Sequence, residues 1–199
     1  MKRKFVILSI IFLSSLVFAQ QAKLNESAPE FKLTGSNGSE HSLSDFKGKI
    51  VVLEWINYDC PFVKKHYDSK NMQSLQEKYT KEGIIWLAIC SSNKGKQGNF
   101  SVEEINKRTN ERGAKFTAYL IDENGKVGKM YGAKTTPHMY IIGKSGMLVY
   151  AGGIDDIAST DVDDIQDAKN YVASALDELL TGKEVSVQSS APYGCSVKY

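Results

Sequence analysis

The sequence predicts an α/β fold in which strands and helices alternate along one continuous domain. Two observations carry this. The runs at residues 50–55 and 84–89 are almost wholly apolar and bounded by glycine, the signature of strands buried on both faces. Each is followed by a segment of helical periodicity. A third observation places a hairpin late in the chain, where two short apolar runs flank Gly143-Lys144-Ser145-Gly146.

Phe31 and Leu33 mark a short first strand, and residues 50–55 the next. Residues 57–61 must then turn and open a helix, with Asp59 as N-cap, Cys60 and Pro61 in the first turn, and Phe62, Val63 and Tyr67 as its inward stripe. Asp68, Ser69 and Asn71 interrupt that helix before Met72, Leu75 and Tyr79 resume it. The strand at 84–89 ends at Cys90 and gives way to a polar loop over 91–99. Ser101 and Glu104 have the spacing of a capping box and start a helix reaching about Arg112. A third strand at 118–121 ends in the turn Glu123-Asn124-Gly125. Strands at 140–142 and 147–151 form the hairpin. A last helix carries Ile165, Tyr171, Val172, Ala175, Leu176 and Leu179 on one side and stops at Gly182. Beyond Glu184 the tail reads as irregular. Strand, helix, strand, helix, hairpin and helix is the order of a thioredoxin fold, an inference about architecture and not about function.

The first residues stand apart from this plan. Lys2, Arg3 and Lys4 precede an apolar run at 5–18, and Val17 and Ala19 occupy the positions that a signal peptidase favours. The run is shorter than the roughly 20 residues of a membrane-spanning helix. Residues 1–19 therefore read as a cleaved secretory signal with no stable membrane anchor afterwards, and the absence of Cys after the cut argues against a lipoprotein. The 199-residue chain has a formal charge of +2, so removing those three cations leaves it near neutral. Such a balance offers no footprint for nucleic acid. With 42% hydrophobic residues, a domain over 25–183 has core enough to need no staple, and residues 184–199 form a tail carrying Cys195.

Only Cys60, Cys90 and Cys195 occur. Three cysteines are no disulfide framework, and they leave at least one thiol free or functional. Cys60 has the most informative setting. At the start of a helix a thiolate faces the positive end of the dipole and unpaired N–H groups, both of which lower its pKa, and Lys64 on the same face adds to the effect. The competing reading is a small buried hydrophobe. Cys90, closing a buried strand, fits core packing.

Four segments resemble the peroxiredoxin-like (redoxin, AhpC/TSA) branch of the thioredoxin superfamily. They are Trp55-Ile-Asn-Tyr-Asp-Cys60-Pro-Phe-Val63, Leu43-Ser-Asp-Phe-Lys-Gly48-Lys, Tyr131-Gly-Ala-Lys-Thr-Thr-Pro137-His and Pro192-Tyr-Gly-Cys195-Ser-Val-Lys-Tyr199. The resemblance implies a central mixed sheet flanked by helices, with Cys60 at the first cysteine of Cys-x-x-Cys. It implies that Pro137 is a cis-proline facing that thiol and that Thr136 lines the site. Two departures are plain. Val63 stands where thioredoxin has its second cysteine. In the peroxidase pattern Pro-x-x-x-Thr-x-x-Cys this chain has Leu53 and Asn57, and Arg108 and Arg112 lie far along the sequence, which counts against peroxidase activity although Asn57 retains a hydrogen-bond donor.

Cys195 then becomes the candidate second thiol, resolving an adduct at Cys60 from a tail made flexible by Gly194; an incidental exposed thiol is the alternative. Asn57, Pro61, Thr136, Pro137 and His138 are the candidate substrate-facing residues, with His138 a proton partner for Cys60. His41 and His66 read as surface or half-buried, and the run Asp155, Asp156, Asp161, Asp163 and Asp164 as a solvated turn without calcium-loop spacing. Gly95-Lys96-Gln97-Gly98 lacks the ends of a phosphate loop. No metal, flavin or nucleotide is implied. The partner is an exported thiol or disulfide protein, as reductant or substrate, with peroxide a second candidate oxidant. The rival to an oxidoreductase is a binding module in which a Cys60–Cys195 disulfide merely pins the tail.

Overall fold

A computed structural model describes residues 21–199; the expected signal segment at 1–19 lies outside the described residues. The chain folds into strands β1 (Lys32–Gly35), β2 (Glu40–Ser42) and β3 (Val51–Trp55), then helices α1 (Pro61–Asp68) and α2 (Asn71–Lys81). Next come β4 (Ile85–Cys90), α3 (Val102–Glu111), β5 (Ala118–Ile121), α4 (Lys126–Tyr131), β6 (Thr135–Thr136), β7 (His138–Ile142), β8 (Leu148–Gly152), α5 (Tyr171–Leu180) and β9 (Cys195–Ser196). Seven strands form one mixed sheet in the order β2-β1-β5-β4-β3-β7-β8, and β6 and β9 pair separately.

The parallel pairs β3–β4 and β4–β5 sit at the centre, with β7 antiparallel to β3. Successive side chains of a strand point to opposite faces, so the central strands feed two cores. Val52, Ile56, Trp86, Ala88 and Ile141 pack with α1, α2 and α5, whereas Val51, Leu53, Trp55, Leu87 and Tyr140 pack with α4 and the N-terminal segment. This is why the central runs are apolar without alternation. Every side chain of β3 is buried, including Glu54.

The break between α1 and α2 falls where the sequence places it, because Lys70 adopts a left-handed φ of 65° that no helix can propagate. At α3, Ser101 accepts from Glu104 N at 3.2 Å, but the box stays half closed because Glu104 turns instead to Arg108. Two expectations need correction. Ile165 belongs to a separate 3-10 turn, and the last helix starts only at Tyr171, where Asn170 Oδ1 accepts from Ala173 N at 2.8 Å. Helix α4 leaves no mark in the apolar pattern of the sequence. It is too short to show periodicity, and Asp122 caps it from the end of β5 by accepting from Val127 N and Gly128 N.

Asp122 also ties the ends of the central strands together. It accepts from Ser91 Oγ at 2.6 Å, and that hydroxyl accepts from Trp55 Nε1 at 2.9 Å. The carboxyl ends of β3, β4 and β5 are thereby fixed beneath the turn that leads to Cys60.

Candidate active site

The chain leaves β3 at Trp55 and needs a tight turn to enter α1. Asn57 supplies it: its Oδ1 accepts from Asp59 N at 3.0 Å and its carbonyl from Cys60 N at 3.0 Å. Its amide nitrogen reaches Gln97 O at 3.4 Å, which pins the 91–99 loop over the turn. Asn57 is thus committed to building the turn. The N-cap is Cys60 and not Asp59, with Pro61 at the first helical position, where a missing N–H costs nothing. Asp59 instead holds Arg108 Nη1 at 2.6 Å. The arginine that looks remote in sequence therefore lies one residue from Cys60, but its guanidinium is engaged by both Asp59 and Glu104.

Cys60 is fully buried. Its thiol donates to Thr136 O at 3.0 Å, across the cis peptide bond at Thr136-Pro137. The second thiol arrives from the tail. Strand β9 runs antiparallel to β6 with Cys195 opposite Thr136, and this packs Cys195 against the core cluster that holds Cys60. All three cysteines are free thiols. Burial opposes a thiolate at Cys60. The Thr136 side chain, the Cys195 thiol and the N–H groups of Cys195 and Val63 outweigh it and hold the Cys60 pKa below the ordinary thiol value. Lys64 is not among these groups. Burial, and then the neighbouring Cys60 sulfur, push Cys195 up to about 11. The pair is thus asymmetric, with the proton kept on Cys195 and negative charge favoured on Cys60.

The tail is more ordered than its composition indicates. Val197 N donates to Lys134 O at 3.0 Å, Asn93 N to Lys198 O at 2.8 Å, and Tyr199 Oη to Ala133 O at 2.8 Å. Gly194 is there for closeness, not flexibility. At φ 132° it passes so near Thr136 that a Cβ would fall on the Thr136 carbonyl.

Thr136 and Pro137 are buried beside Cys60, and Pro61 is exposed at the helix start. His138 is not with them. It lies opposite Trp55 in the β3–β7 pairing and shares the face of Tyr140, whereas Cys60 belongs to the other core. Its Nδ1 accepts from Lys134 N at 3.2 Å and bonds Tyr140 Oη at 3.1 Å, and burial, then Lys134, lower its pKa to about 4. The expected proton partner is a neutral imidazole on the far side of the sheet. Cys90 is buried on the Cys60 side of the sheet, near Ser92 Oγ and Gly98 O.

Three buried polar groups near the site escape sequence reasoning. Glu54, six residues before Cys60, accepts from Tyr67 Oη at 3.0 Å, Gln76 Nε2 at 3.0 Å and Trp86 Nε1 at 2.8 Å, and burial raises its pKa to about 7 against those three donors. His66 is completely buried rather than near the surface, and Asp155 is buried rather than solvated with its acidic neighbours. A carboxylate in an apolar run is the signal for Glu54; nothing local distinguishes the other two.

Fold and site together define a thioredoxin-like protein with a buried cysteine at a helix start facing a cis-proline. The AhpC/TSA family model matches residues 24–151, and the chain belongs to that family. The match includes Cys60 and stops short of Cys195. The chain is 27% identical to the thiol-disulfide oxidoreductase ResA of Bacillus thuringiensis subsp. konkukian, over 65% of this chain and 69% of that protein. It is 24% identical to glutathione peroxidase 1 of Caenorhabditis elegans, over 54% and 88%. Among solved structures, an uncharacterized conserved protein from Geobacillus kaustophilus superposes with a TM-score of 0.75 at 32% identity, covering 89% of this chain and 92% of that one.

Proposed function

We propose that the protein is a thiol–disulfide oxidoreductase acting outside the cytoplasm, with Cys60 as nucleophile and Cys195 as resolving thiol. The observation that carries this reading is that the tail strand sets Cys195 opposite Thr136, whose carbonyl accepts from the Cys60 thiol at the helix start. The relatives named thiol-disulfide oxidoreductase support the reaction class. The N-terminal pattern at residues 1–19 supports export, and hence an exported thiol or disulfide protein as partner.

The Cys60 thiolate attacks one sulfur of a partner disulfide, forming a mixed disulfide and releasing the first partner thiolate. Neutralising Cys60 in this way removes the hydrogen bond and charge that add to burial in holding the Cys195 pKa up. Cys195 then ionises more readily and attacks Cys60, which forms the Cys60–Cys195 disulfide and expels the second partner thiolate. Two protein thiols are oxidised, one partner disulfide is reduced, and the protons end on the leaving thiols. Thr136 and Pro137 flank the reacting sulfur. Peroxide is a poorer oxidant in this reading, because Asn57 is committed to the turn and Arg108 to two carboxylates.

Full burial of Cys60 beneath the tail favours a second reading, in which the disulfide only pins the tail of a binding module. The reduction potential separates them: a structural bond lies below about −300 mV, a working one well above. Mixed-disulfide trapping on a Cys195→Ser variant tests the first reading, which expects partners linked through Cys60 and fails if none is captured.

A further inference from the structure

Beyond Cys195 the tail is held by the short β6–β9 pairing and by the contacts of Val197, Lys198 and Tyr199, and a second anchor lies before it. Two residues upstream, Tyr193 enters a buried polar cluster that the exchange chemistry does not use. Its hydroxyl donates to Asp155 Oδ1 and lies 3.1 Å from His66 Nε2. His66 Nδ1 is in turn bonded to Asn71 Nδ2 at 2.9 Å, and the Tyr193 ring meets Phe62 edge-on at 5.9 Å. Lys65 faces the same region but is held by Ile157 O and Ser159 Oγ. Asp155 Oδ1 otherwise accepts only from Ile157 N at 3.2 Å, and Oδ2 is buried with no hydrogen-bond partner. The domain therefore presents an acceptor and an imidazole, both buried, that one phenol hydroxyl from the tail satisfies jointly. Leaving such groups unmet is costly, and so the cluster acts as a receptor for that hydroxyl.

The Tyr193 ring lies against Phe62 and its hydroxyl against His66, both on α1, while Cys195 sits opposite Thr136, whose carbonyl accepts from Cys60 at the start of that helix. Gly194 between them is the point of closest approach to Thr136. We propose that Tyr193 is a positioning residue for thiol exchange: docked on His66 and Asp155, its phenol fixes where along the site the tail lies and so places Cys195 against Cys60. The proposal rests on the resolving role of Cys195.

The test is the equilibrium of the protein with glutathione, in which two protein thiols and one glutathione disulfide give the Cys60–Cys195 disulfide and two glutathione thiols. A hydrogen bond to a charged acceptor carries about ten- to a hundredfold in an equilibrium constant. Tyr193→Phe keeps the ring against Phe62; because the hydroxyl is docked in the thiol form too, the disulfide-forming constant should fall by the share of tails that the loss undocks, up to about that factor, a rise of at most roughly 60 mV in potential. Asp155→Asn should act in the same direction, and the double variant should be little worse than either single one. In a Cys195→Ser background, Tyr193→Phe should also speed Cys60 alkylation, because the tail covers that thiol. A Tyr193→Phe constant within twofold of the parent, or fully additive single effects, would overturn the positioning role while leaving the resolving role standing. A parent chain that forms no Cys60–Cys195 disulfide overturns both.

Discussion

Replacing Glu54 with Gln should change how stability depends on pH. Glu54 is fully buried on β3 and its pKa is raised from an ordinary 4.5 to about 7, with burial as the main cause. The folded state thus binds the proton more tightly than the unfolded chain. Stabilisation from this group is fully present below pH 4.5 and is lost as pH rises through 7. At about 1.4 kcal/mol per pH unit, the loss across that window is about 3 kcal/mol. The buried histidines work the other way. His66 is lowered to about 3 and His138 to about 4, chiefly by burial, so both remove stability as pH falls below 6.5. The parent curve mixes these effects, but the difference between parent and Glu54→Gln cancels the histidines. Glutamine can still accept from Trp86 and Gln76, so its folded state should remain intact. Urea unfolding of both proteins at pH 5 and pH 8 gives that difference, which should move by about 2.5 kcal/mol in favour of the variant at pH 8, part of the window being already crossed at pH 5. A difference that stays constant within about 0.5 kcal/mol would refute the assignment of a proton to buried Glu54 near neutral pH.

Cys60 should alkylate with a pH midpoint below that of an ordinary thiol, and Cys195→Ala should move the midpoint up by removing a donor; iodoacetamide rates against pH read both. Hydrogen peroxide should oxidise the reduced protein slowly, as stopped-flow would record, because neither Asn57 nor Arg108 is free to orient it. His66→Gln should flatten acid denaturation between pH 6.5 and 3, where the parent must charge a buried imidazole; a variant as acid-sensitive as the parent would contradict the burial argument.

Much of this architecture was legible because its signals are local. The apolar runs gave β3 and β4, and Pro61 after Cys60 gave the start of α1. The start of the last helix is masked in the sequence because Ile165 continues its apolar spacing, although Asn170 caps a fresh start. At the site, the proximity of Arg108 to Cys60 and the placement of His138 on the other face depend on strand order and register, which no single segment states. His66, Asp155 and Tyr193 look like surface residues one by one. Their meeting depends on the tail folding back, and a two-residue strand has no periodicity by which to announce itself.

The most direct test of the account is mass mapping of the oxidised protein after free thiols are blocked under non-reducing conditions. The account predicts a peptide pair joined through Cys60 and Cys195, with Cys90 recovered alkylated. Recovery of Cys60 and Cys195 both alkylated from fully oxidised protein would contradict it.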